Sequence, residues 1–217
     1  MEDDEYWELV TGLRQRIADQ LETLSAADWD VPSLCEGWRV RDVAGHLSII
    51  PTVTTRELVA AMPRAGFNLH RVNTLIARRY GSVEPAVIVA RIRDHAHDRT
   101  TAKALDTADS LFDLVVHGQD MFLPLGQRFE VEADAAVAGL ERVWSMGWPF
   151  RAGRRWGHVT LTATDGEWSA GHGPEIRGPA VALLLLLTGR VEAATPRLEG
   201  PGLRLSGPRR TRAARPR

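Results

Sequence analysis

Tyr6, Leu9, Val10, Leu13, Ile17, Leu21 and Leu24 recur at steps of three and four, which predicts an amphipathic helix over about 5–24. The segment SAADWDVPSLCEGW that follows carries Pro32 and Gly37 among other turn formers, and predicts an ordered loop with Trp29, Leu34, Cys35 and Trp38 tucked inward. A second helix is expected from Val40 through VRDVAGHLSII, with Pro51 as a kink and the helical pattern resuming up to Pro63. Helical spacing returns over 67–80 and from Glu84 to about Thr101, where Pro85 suits a first turn. TADSLFDLVVHGQDMF predicts the last of four main helices, started near Asp109 or Ser110 and closed by Pro124 and Gly126. Such a set is what an antiparallel bundle requires.

Beyond residue 126 the pattern changes. VEADAAVAGLERVWSM is helical in spacing, whereas Val159, Leu161 and Ala163 alternate with threonines and predict a strand. Asp165-Gly166 is the dipeptide preferred in two-residue hairpin loops. GPAVALLLLLTGR, with a proline at its start and Gly189 past its end, predicts a short buried helix. The expected class is therefore α+β: a helical bundle over 1–126, a small α+β domain over 127–207, and a disordered basic tail over 208–217.

Charge narrows the functions on offer. The chain holds 27 cations and 28 anions, but Arg209, Arg210, Arg212, Arg215 and Arg217 crowd one end, so the body without them is mildly acidic. No basic field for nucleic acid remains. The first residues are acidic, and the longest apolar run, Ala180 to Leu187, is far short of the ~20 residues that span a bilayer, so a cytoplasmic protein without a membrane role is expected. Cys35 is the single cysteine, which leaves no internal disulfide and no thiolate pair for zinc. Alone in its loop, it reads as a small packing residue.

Any metal site must then come from histidine and carboxylate. Asp42 and His46 are four residues apart on the second helix, and Asp113 and His117 repeat that spacing on the fourth, so each pair shares a face. On neighbouring helices, His46, Asp113 and His117 would converge on one cation and leave positions open for water or substrate, as catalytic sites do. The spacing by itself also fits a surface ion pair.

The run LSAADWDVPSLCEGWRVRDVAGHLS and the later DLVVHGQDMFLPLG resemble the DinB-like metal-binding domain of the mycothiol-dependent maleylpyruvate isomerase family. Leu34, Cys35, Gly37, Trp38, Arg41, Asp42, Val43, His46 and Leu47 carry the first motif, and His117, Gly118 and Asp120 the second. LTATDGEWSAGHGPEIRGPAVALLLLLTGR is similar to the family's C-terminal domain, a small module related to sterol carrier proteins. The resemblance implies a divalent metal, zinc above others, on His46, Asp113 and His117, with both histidines catalytic. The family often has glutamate where Asp113 stands, which makes Asp120 the substitute ligand; Asp120 or Asp42 is otherwise an outer acceptor that orients an imidazole. It further implies a thiol cofactor, mycothiol or one like it, attacking a small electrophilic substrate in S-transfer or cis–trans isomerisation, with Arg151, Arg154, Arg155, Arg177 and Arg190 available to grip carboxylates. A non-enzymatic metal- or ligand-binding or sensing protein is the alternative, and an iron oxygenase shares the ligand count. The sequence fixes no oligomeric state.

Overall fold

The structure, a computed structural model, describes residues 2–99 and 109–205. Helix α1 (Asp3–Glu22) turns Trp7, Val10, Leu13, Ile17 and Leu21 inward, the stripe its periodicity demands. Each such side chain contributes roughly 1.5–3 kcal/mol when removed from water. Helices α2 (Val40–Leu47), α5 (Pro85–Asp94) and α6 (Asp109–Phe122) complete a ring of four: α1 and α2 each pack against both α5 and α6. Helix α4 (Leu69–Gly81) lies on α2, where the backbones nearly touch. A Cβ on Gly45 would stand 2.3 Å from the Gly81 nitrogen, so neither glycine leaves room for a side chain.

Two helices end earlier than their patterns suggest, for different reasons. The second stops at Leu47; residues 48–53 form turns, and Thr54 then opens a separate helix α3 (Thr55–Ala61) by exchanging hydrogen bonds with Glu57. Pro51 thus marks a break, not a kink. Helix α5 stops at Asp94 because the buried Arg14 guanidinium collects the carbonyls of His95, Ala96 and Asp98 at 3.1, 3.3 and 2.7 Å. Those carbonyls are satisfied without another helical turn. The rest of the stretch expected to reach Thr101, and the capping residues before Asp109, lie partly outside the described residues.

The chain divides into two compact units after Arg142, later than the change of pattern at residue 126. Residues 127–142 are tied to the bundle: Gln20 donates to Gln127 Oε1 and the Arg128 carbonyl, Arg16 pairs with Glu132, and Arg142 pairs with Asp109 at 2.7 Å. Phe129 fills the space left by Gly118, where a Cβ would come within 2.2 Å of its ring. Helix α7 (Ala133–Ser145) carries the chain across the division.

In the second unit, helix α8 (Ala152–Trp156) precedes strands β1 (Thr160–Ala163), β2 (Ser169–Gly171) and β3 (Glu175–Gly178), ordered β2-β1-β3. Strand β1 pairs antiparallel with β2 and parallel with β3. The hairpin loop is wider than two residues. Ala163 N–H bonds the Trp168 carbonyl across Thr164–Glu167, while the Asp165 carboxylate accepts the Ala180 N–H at the start of helix α9 (Ala180–Leu187). Every residue of α9 is buried, and Gly189 follows at φ +94°. A four-residue helix α10 (Val191–Ala194) follows. No helix among the described residues is long and apolar enough to cross a membrane. The expected tail over 208–217 lies outside the described residues.

Candidate metal centre

His46 sits near the end of α2, and Asp113 and His117 lie one turn apart on α6, the helix against which α2 packs. The arrangement brings all three together. Asp113 Oδ2 stands 3.3 Å from His46 Nε2, and Asp113 Oδ1 stands 3.3 Å from His117 Nε2. The imidazoles meet edge to face at 5.2 Å between centroids. One ligand atom from each of the three lies within 4.8 Å of the others, close enough for a group that could hold one metal ion. The Asp113 carboxylate reaches both rings. Its side chain keeps 26% of its surface exposed, which leaves the cluster reachable from solvent.

The electrostatics are those of a carboxylate held between two imidazoles at the edge of the core. Burial pushes the Asp113 carboxyl up, but the His117 and His46 imidazoles together outweigh it and hold Asp113 well below the usual carboxylate range. Burial likewise pulls the His117 imidazolium down, and Asp113, with smaller contributions from Cys35 and Asp120, lifts it well above the usual value. Asp113 is therefore an anion ready to ligate.

On the far edge of the His117 ring lies a second group. Nδ1 contacts Asp120 Oδ2 at 2.9 Å, and the Cys35 thiol donates to the same oxygen at 3.1 Å while standing 3.6 Å from Nδ1. Asp120 is wholly buried. It thus faces the outer nitrogen of His117, away from the Nε2 side where Asp113 stands. Asp42 does not serve His46. Its carboxylate accepts the Arg39 N–H at 3.0 Å and pairs with the Arg39 guanidinium, closing the first turn of α2.

Trp38 is the neighbour that spacing alone does not reveal. Its indole lies nearly parallel to His117, 6.3 Å between centroids and 15° between planes, and meets His46 edge-on at 5.5 Å. Trp38 Nε1 donates to Thr74 Oγ1 at 3.2 Å, which fixes the wall. Elsewhere His95 bonds Asp98, and His97 lies by Gln15. Among the arginines of the second unit, Arg177 pairs with Glu199, Arg190 donates to the Thr188 carbonyl and Arg155 lies over the Trp156 ring.

The helical bundle followed by a small α+β unit is a DinB-like fold. Comparison sharpens this. Residues 10–110 match the family described as the mycothiol maleylpyruvate isomerase N-terminal domain. Asp113 and His117 lie just beyond the matched stretch. A crystal structure of a mycothiol-dependent maleylpyruvate isomerase, and that of a histidine-to-alanine mutant of it, are similar in fold: 93% of each chain is covered at 12% identity with a TM-score of 0.59. The comparison with curated proteins gives no match.

Proposed function

We propose that this chain is a metal-dependent enzyme, acting in the cytoplasm, that uses a low-molecular-weight thiol of the mycothiol type for S-transfer to, or cis–trans isomerisation of, a small electrophilic substrate. The observation that carries the reading is the meeting of His46 Nε2, Asp113 and His117 Nε2, drawn from helices far apart in sequence, at the mutual distances of a metal's ligands. Relatives by fold named as mycothiol-dependent isomerases support the choice of reaction class.

His46, Asp113 and His117 would hold the ion. When bound, zinc supplies Lewis acidity, which holds a thiol as its thiolate near neutral pH. The protein's share is placement. Asp113 contributes the negative charge that offsets the cation, and its anionic state is secured by the two imidazoles. Trp38 lies against both rings and limits their reorientation. With a metal bound, Asp120 would accept from His117 Nδ1 and leave Nε2 free to ligate. The exposed edge of Asp113 marks the side from which thiol and substrate approach.

Gently purified protein should carry about one zinc per chain, and a His46→Ala, His117→Ala double variant should carry none. Addition of mycothiol and an electrophilic probe should show thiol consumption that depends on the metal and stops with a chelator. Native protein without metal overturns the proposal. Metal without accelerated thiol consumption leaves a binding or sensing protein in its place, and iron with oxygen uptake leaves an oxygenase.

A further inference from the structure

The loop over residues 33–38 closes on itself and on α6. Ser33 N–H and Oγ both bond the Trp38 carbonyl, Trp38 N–H bonds the Cys35 carbonyl, and Cys35 N–H bonds Ser33 Oγ. Leu34 N–H then bonds the Asp120 carbonyl at 3.1 Å, which pins the loop to the helix carrying Asp113 and His117. Gly37, at φ +75°, permits the tight return. One short loop therefore delivers two different groups to one imidazole: the Trp38 indole to its face and the Cys35 thiol to its outer edge.

The chemistry at that edge is specific. Cys35 Sγ and His117 Nδ1 both approach a single oxygen, Asp120 Oδ2, at 3.1 and 2.9 Å. The sulfur contact is a thiol donating to a carboxylate oxygen, S–H···O. A carboxylate with no exposed surface requires donors, and the thiol is one of them. Because Nδ1 and Nε2 lie on opposite edges of the ring, Cys35 stands outside the Asp113 cluster and does not complete that ligand set.

We propose that Cys35 is a positioning residue: its thiol orients the Asp120 carboxylate, and Asp120 in turn fixes the plane of His117 and keeps the Nδ1 proton in place, so that Nε2 is presented to the metal. This assignment rests on the metal reading above and adds to it a residue whose reactivity has no part in the chemistry. A hydroxyl can give the same hydrogen bond; a methyl group cannot.

The test uses the full chain and zinc alone. Zinc affinity is measured by chelator competition, and the His117 Nδ1–H proton is followed by NMR, with the fold monitored by circular dichroism. Cys35→Ala should weaken zinc by about 10-fold, at the lower end of the 10–100-fold range for the loss of a partner behind a metal ligand. Cys35→Ser should restore the affinity, and the Nδ1–H exchange should be slow in wild type and in Cys35→Ser but fast in Cys35→Ala. An alanine variant that binds zinc as wild type does, or a serine variant as weak as alanine, overturns the proposal. Should the alanine variant not fold, the wild-type resonance decides: rapid exchange of the Nδ1 proton overturns the assignment, and slow exchange that persists in Cys35→Ser sustains it. Should wild type take up no zinc, the metal reading fails, while the same proton in the metal-free chain still reports whether thiol and carboxylate hold the ring.

Discussion

Helices α6 and α9 are buried almost equally and are built from opposite materials. Helix α9, AVALLLLL, hides eight apolar residues whose side chains carry no hydrogen-bonding group. Helix α6 buries Leu111, Leu114, Val115 and Phe122 in the same way, yet withdraws Gln119, Asp120 and most of His117 from water beside them. Each of those polar groups is answered: Gln119 donates to the Phe129 carbonyl at 2.8 Å, Asp120 accepts from His117 and Cys35, and His117 meets Asp113. Leaving a buried polar group unanswered costs about 1–3 kcal/mol, so such a helix is retained only where its partners come with it. Burial therefore does not distinguish the two helices; the partners of their buried polar groups do.

The largest effect that would test this contrast is the loss of both imidazoles. His46→Ala with His117→Ala should abolish zinc retention while circular dichroism shows the helices intact; retained metal would place the ion elsewhere and end the special standing of α6. Next comes Leu184→Ala in α9, which should lower stability by about 2–5 kcal/mol in denaturant unfolding. Zinc stoichiometry below the transition should not change, and metal loss from the still-folded variant would break the separation of roles. Gly118→Ala should cost about 1–3 kcal/mol, because the added Cβ meets the Phe129 ring and overpacking outweighs the gain in helix propensity. Smallest is Arg93→Ala, which removes exposed pairs with Asp19 and Glu22 and should leave the melting temperature unchanged within error.

Several elements were legible before any coordinates. The stripe expected over 5–24 is α1, the apolar run from Ala180 is α9, and the alternating threonines are β1. The i,i+4 pair Asp113 and His117 shares a face of α6, and the histidine of the first motif stands opposite it. The same spacing rule placed Asp42 beside His46, but the nearby Arg39 guanidinium and backbone N–H claim that carboxylate. Strand β3, Glu175–Gly178, alternates in burial but is only four residues long, too short a run to predict from pattern, and it exists through pairing with β1. The Asp165-Gly166 signal marked a turn correctly in place but not in width, since Asp165 is drawn to the start of α9.

Local periodicity settled which faces would be apolar, where helices would begin, and which histidines and acids could share a surface, because helix and strand repeats are properties of neighbouring residues. Only the tertiary structure decided that Cys35 and Trp38 would reach His117 from a loop about eighty residues away, that Asp120 would face the outer nitrogen and Asp113 the inner, and that Arg14 would end α5. Those outcomes depend on which buried polar groups meet once the chain has collapsed. That choice is made by hydrogen bonds across long sequence distances, on which the order of residues along a single segment is silent.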